Sequence, residues 1–318
     1  MTGRRIIYMS MLCVCLIAGC SNEHYAEVDP HQSFVASMNI LQPSLTIYDK
    51  KAKEIATWSF EKAYTGAVLV GYDSILLYGH QLDEADLYEL SSGKKLTAIE
   101  TGLGVTNAYY NDASEQLFIT NSRTNELSSY SAQGRLLQSI KLRNYPMSMA
   151  ASGENLYVIN YKDTVLSVVS MKDLQLVDEW DIAKSSHGIL VLPEQDSIWI
   201  GGHGEGSSPN QSVDIYNLNN GKKVKEVAMP LMPVGFAKQD DEIAVISHGE
   251  NELYVTDSAG VIKWQAEIGA NPFAVAYFKK AIIVAGYDDQ TLYFIQDGNV
   301  TAEIRTGKGP FQLLVREG

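Results

Sequence analysis

The chain carries six histidines, and four of them, His80, His187, His203 and His248, sit at the edges of short apolar runs rather than inside them. Imidazole changes charge near neutral pH and is a common ligand for zinc and copper, so several such rings in one place would make a general base or a metal site. Glu205, two residues beyond His203, is the carboxylate best placed to join them. Spacing alone makes no metal or catalytic assignment. There is no H-E-x-x-H, no G-x-S-x-G and no EF-hand loop. Ser91-Ser92-Gly93-Lys94 has an S-x-x-K spacing but lies in a turn with no helix to present it. Gly202-x-Gly204-x-Gly206 lacks the strand-to-helix setting in which glycine loops hold phosphate. The other chemistry on offer is recognition. Tyr161 and Tyr287 lie beside Asn160 and Asp288, and Arg123 occupies a matching loop. Tyrosine and arginine are the residue types that most often anchor binding surfaces.

What positions these residues is a repeat. Residues 154–182 hold three short β-type runs, and residues 146–151 just before them supply a fourth. The third run of such a unit recurs at 45–49, 87–90, 127–130, 165–170, 213–218, 253–257 and 292–295. A tight turn follows each one, with glycine at Gly93, Gly134, Gly221, Gly260 and Gly298, where a hairpin needs positive φ. Fourth runs follow at 54–60, 96–101, 136–142, 176–182, 224–229, 262–268 and 300–306. Units of four short strands at a period of roughly forty residues, with no amphipathic helix between them, predict an all-β, seven-bladed β-propeller of antiparallel four-stranded blades. A β-sandwich would not need so regular a period. The first unit lacks a first strand and the last residues, 309–317, read as a first strand with nothing after it. Pairing the two termini in one shared blade would close the ring and remove its exposed edges. The propeller is expected over 34–318.

In such a ring the four histidines, Tyr161 and Tyr287 fall on one loop-rich face. Residues 201–212, GGHGEGSSPNQS, lengthen one unit on that face, and their glycines and serines predict a mobile segment, with a lid or partner-contacting flap and a neutral surface insertion as the two readings. Trp58, Trp180 and Trp264 on fourth strands and Trp199 on a second strand read as packing between blades.

Charge and cysteine usage limit the partners. With 38 Asp+Glu against 25 Lys+Arg the net charge is −13, which argues against nucleic acid and anionic membrane surfaces. Arg4 and Arg5 followed by the apolar residues 6–17 form a basic-then-apolar leader too short for a comfortable membrane span. Its end, Ile17-Ala18-Gly19-Cys20, resembles a bacterial lipobox. That resemblance implies a signal peptide over 1–19 and diacylglycerol on Cys20. It further implies a lipoprotein held at the cell membrane and facing outside the cytoplasm, in the periplasm or on the cell surface. Residues 20–33 then read as the lipidated cysteine and a flexible tether. Cys13 and Cys15 would leave with the leader, so the folded part has no disulfide or thiol chemistry.

Tyr157-Val158-Ile159-Asn160 with Val165-Leu166-Ser167-Val168-Val169, and Leu117-Phe118-Ile119-Thr120-Asn121 in the preceding unit, resemble the YVTN-type repeat of exported seven-bladed propellers. The resemblance spans nearly all of 34–317, although units such as 76–80 (LLYGH) and 199–203 (WIGGH) depart from it. Lactonases, quinoprotein subunits and protein-binding scaffolds share similar folds, so the fold does not choose among them. The residues favour a non-catalytic module that binds a protein, peptide or glycan through its loop-rich face. The rival is an exported lactonase-like hydrolase with a His-lined site at the channel mouth. No cofactor signature is present.

Overall fold

The computed structural model describes residues 24–317. The leader and Cys20 lie outside the described residues. Middle strands are buried along their length, as in Asn155–Asn160 and Val165–Ser170, because they are covered by neighbouring sheets on both sides. Outer strands such as Lys223–Ala228 are mostly exposed, with single buried side chains such as Val227 turned inward. This contrast is what made the middle strands legible as short apolar runs.

Seven four-stranded antiparallel sheets are present among the described residues, and they form a seven-bladed β-propeller. Blade 1 joins the two ends of the chain: its inner strand is Pro310–Arg316, followed outward by Phe34–Asn39, Ser44–Tyr48 and Glu54–Ser59. Val35 pairs with Val315 and Met38 with Gln312, the closure the sequence calls for. Blades 2 to 7 run consecutively, with inner strands Gly66–Val70, Val105–Asn111, Pro146–Ser152, Ser186–Leu192, Pro233–Gln239 and Pro272–Phe278. The core lies between blades. Leu76, Leu87 and Ile99 of blade 2 pack with Val105, Leu117 and Ile119 of blade 3, and the other interfaces repeat this arrangement. The tryptophans belong to these interfaces: Trp58 and Trp199 are fully buried, Trp180 is buried between blades 4 and 5, and Trp264 packs against the cluster of blades 6 and 7.

Two expectations change. The residues before the propeller are not a free tether from His24 onward. Tyr25 stacks on Trp58 with centroids 4.9 Å apart, Trp58 Nε1 donates to the Ala26 carbonyl at 2.9 Å, and Val28 is fully buried. The Tyr25 and Val28 amides donate to the carbonyls of Gly93 and Leu90. Polar composition suggested a linker, but two apolar side chains in it find an open seam between blades 1 and 2. Secondly, the 201–212 insertion is not wholly irregular, since Gly204–Glu205 pairs with Ser208–Pro209 in a small antiparallel ribbon. Among the described residues no helix is long and apolar enough to cross a membrane.

Candidate ligand-binding site at the channel mouth

Six inner strands start with the same irregularity. The register shifts by one residue after Pro310, Val105, Pro146, Ser186, Pro233 and Pro272. A bulge of this kind bends a strand and re-aims a side chain. The bulged positions carry Phe311, Thr106, Met147–Ser148, His187–Gly188, Val234 and Phe273. All but Val234 and Gly188 line one cavity of about 160 Å³ at the axis, together with Thr65, Tyr78, Asn107 and Gln312.

The residue just before each bulged strand adopts positive φ: Gly104, Tyr145, Ser185, Met232, Asn271 and Gly309. Its carbonyl accepts from the amide of the residue that follows the second strand of the same blade. These contacts are Ser122 to Gly104 (2.8 Å), Tyr161 to Tyr145 (2.9 Å), His203 to Ser185 and His248 to Met232 (both 3.1 Å), Tyr287 to Asn271 (3.1 Å) and Ile40 to Gly309 (2.9 Å). One repeated turn therefore pins a rim residue above a bulge residue in six blades.

Aromatic rings from both rows, joined by Tyr145, lie next to one another along part of the mouth. His80 stacks beside Tyr145 at 6.4 Å, Tyr145 meets Tyr161 at 6.1 Å, and Tyr161 meets His203 at 6.4 Å. His203 contacts His187 at 5.4 Å and His248 at 5.6 Å, both edge to face. His248 lies 4.6 Å from Phe273, which contacts Phe311 at 5.0 Å and Tyr287 at 5.4 Å. The histidine cluster is possible because blades 5 and 6 approach closely. A Cβ on Gly201 would fall 2.1 Å from the Pro233 carbonyl oxygen, and one on Gly188 2.5 Å from that of Val234.

Electrostatically the cluster is kept neutral. Burial, reinforced by His203, lowers the His187 pKa to about 4. Burial also lowers His203, with His248 adding to the effect. For His248 burial outweighs the opposing pull of the Pro272 carbonyl and Asp288. The backbone at Val234 and Pro272 opposes the fall at His187 and His248, and Nδ1 of all three rings is buried with no partner.

The structure sorts the sequence candidates. His187, His203, His248, Tyr161 and Tyr287 come together, and His80 joins through Tyr145. His80 itself is engaged, with Nε2 at 3.1 Å from Ser122 Oγ and Nδ1 at 3.2 Å from Gln81 Nε2. Asn160 is not a contact residue: it is fully buried, and its Nδ2 donates to Ser167 Oγ at 2.9 Å and to the Val165 carbonyl at 3.1 Å, bracing its own hairpin. Glu205 does not join the histidines but pairs with Lys184 on the exposed ribbon. Arg123 is exposed and donates to Gln81 Oε1 at 3.4 Å, which connects it to the His80 end of the ring run and not to the three clustered histidines. Among the described residues no three His, Cys, Asp or Glu side chains are arranged to hold a metal ion. Tyr145, Phe273 and Phe311 were not among the candidate residues, though segments 144–146 and 271–273 belong to the mouth and each of the three stands next to a proline at the start of an inner strand. That recurrent proline-aromatic pair was the available signal.

No family model matches the chain, and no curated protein matches it by sequence. Solved structures do resemble it. A functionally unknown protein from Desulfotomaculum acetoxidans superposes with a TM-score of 0.75 at 10% identity, covering 89% of this chain and 99% of that one. Hydrazine synthase of Kuenenia stuttgartiensis gives 0.71 at 13% identity over 85% and 97%. Apo AztD from Citrobacter koseri gives 0.62 at 10% identity over 90% and 98%. At these identities the likeness is one of fold, and it supports the seven-bladed propeller.

Proposed function

We propose that this protein is a non-catalytic binding module that takes a protein or peptide partner at the aromatic-rimmed mouth of its propeller. The observation that carries this is the run of touching rings from His80 through Tyr145, Tyr161, His203, His248 and Phe273 to Tyr287 and Phe311. Clustered aromatics on rigid backbone supply contact area at little entropic cost. The cavity beneath them, about 160 Å³, is smaller than the roughly 300–1,000 Å³ that encloses a whole small-molecule ligand. It suits a protruding side chain better than a buried substrate or an oligosaccharide.

Membrane attachment through a lipid on Cys20 is part of the same proposal. The chain docks from His24 against Gly93 and Lys94, in a turn between third and fourth strands. Such turns lie on the face opposite the mouth. A lipid only a few residues before that point would leave the mouth turned outward, away from the membrane and open to an envelope partner.

Photo-crosslinkers placed at Tyr161 and Tyr287 in membrane-bound protein test the reading, with Asn219 on the opposite face as control. One partner captured from both rim positions and not from Asn219 is the expected result. Equal capture from Asn219, or none from the rim, overturns it.

A further inference from the structure

The ring cluster has one chemical deficit that its neighbours do not fill. Nδ1 of His187, His203 and His248 is in each case buried and unpartnered. A buried polar nitrogen without a hydrogen-bond partner costs about 1–3 kcal/mol, and such groups are rare enough to require a reason. The three rings are consecutive edge-to-face neighbours, with interplanar angles of 78° and 88°. Rings inclined so steeply to one another do not offer the flat face that matches the planar fork of a guanidinium. An ammonium carries three divergent donors and no acceptor.

Resting on the proposed binding role of this mouth, we infer that it recognises a primary alkylammonium, seated against the His187–His203–His248 cluster. The surroundings agree with that choice. Phe273 and Tyr161 flank the imidazoles, and aromatic rings of this kind attract a cation. The same rim already holds one ammonium, since Lys162 Nζ lies 4.4 Å above the Tyr145 ring. Near the cluster Asp288 acts on His248 and Lys184 is paired with Glu205, while Lys162 over Tyr145 contributes a positive charge. A net charge of −13 draws cations toward the protein as a whole. The imidazoles, held neutral by burial, keep their lone pairs available rather than repelling the guest.

An alkylammonium reaches the site from two sources, a lysine side chain of a protein partner or a free polyamine. Calorimetric titration of the purified protein at pH 7.5 separates them. The probes are a blocked Gly-Lys-Gly peptide, its Nε-acetylated form, free cadaverine, a cello-oligosaccharide and zinc chloride. Binding of the lysine peptide or of cadaverine, weakened about tenfold or more by acetylation of the peptide lysine or by His203→Phe, is the expected result. The stronger of the two amines identifies the source. His248→Phe serves as a second variant should His203→Phe fail to fold, as judged by its thermal melt. Equal binding of the acetylated peptide overturns the inference, as does saturable binding of zinc or the oligosaccharide with no response to either amine. Capture of a rim partner with no amine response sinks this inference and leaves the binding module standing. An amine response without a captured partner does the reverse.

Discussion

At the scale of single residues, the mouth is defined by imidazoles whose protonation is opposed by burial. His187 is the extreme case, held at about 4 against an ordinary 6.5. Between those values the unfolded chain takes up a proton that the folded chain refuses, so the stability contribution is full above pH 6.5 and falls as the pH drops to about 4. Urea unfolding between pH 7.5 and pH 4 should show a loss on the order of 2–3 kcal/mol in the wild type beyond that of His187→Gln. Parallel curves for the two proteins would show that His187 is not the group responsible. The rings beside it carry contact area. Phe273→Ala should weaken partner capture about tenfold or more, while Asn160→Ala should act on stability, at about 1–2 kcal/mol, through the lost hairpin brace. Quantified crosslinking and thermal melts of the two variants separate these roles.

At the scale of elements, the decisive device is the turn into each inner strand. It places a left-handed residue, then a bulge, and thereby sets a rim side chain over a channel side chain. Non-glycine residues pay for that conformation. Ser185 has φ of 56° and is half-buried with only a small side chain, so glycine there should relieve strain with little loss of packing. Ser185→Gly is expected to raise the unfolding midpoint, by about 0.5–1 kcal/mol after the extra freedom of the unfolded chain is counted. Tyr145, with φ of 64°, cannot be relieved so simply, because its ring links His80 to Tyr161. A Tyr145→Gly variant that is as stable as wild type yet poor in partner capture would separate the two roles of that position.

At the scale of the whole molecule, stability depends on closing the ring where the chain begins and ends. Arg316 is the clasp. Its guanidinium is almost fully buried, donates to the carbonyls of Asp29 (2.6 Å) and Gln32 (2.9 Å), and lies over the Phe34 ring at 4.5 Å. It ties the last strand to the segment ahead of the first and to Tyr72 of blade 2. Arg316→Ala should cost about 2–4 kcal/mol, because three half-buried carbonyls lose a charged donor and the buried side chain leaves a gap. Denaturant titration measures this, and a loss below ~1 kcal/mol would show that strand pairing alone closes the ring. Gly93 supports the other clasp, since a Cβ there would fall 2.0 Å from the Tyr25 carbonyl oxygen. Gly93→Ala should release the segment around Tyr25, which limited proteolysis ahead of residue 34 would report.

Local pattern was enough to read the architecture: short apolar runs, glycine turns and a period of roughly forty residues name the strands, and the incomplete units at both ends name the closure. These are properties of neighbouring residues, and they survive without knowledge of contacts. The sequence also placed His80, His187, His203, His248, Tyr161 and Tyr287 on one face, because propeller topology assigns every loop to one side or the other. Which of them meet was beyond its reach. That depended on bulges that shift a register by one residue, on glycines that let blades 5 and 6 approach, and on burial. Burial turned Asn160 into a brace, left three imidazole nitrogens without partners and laid Tyr25 against Trp58. Such distances arise only when residues far apart in sequence are packed together, and the chemistry of the mouth follows from that packing.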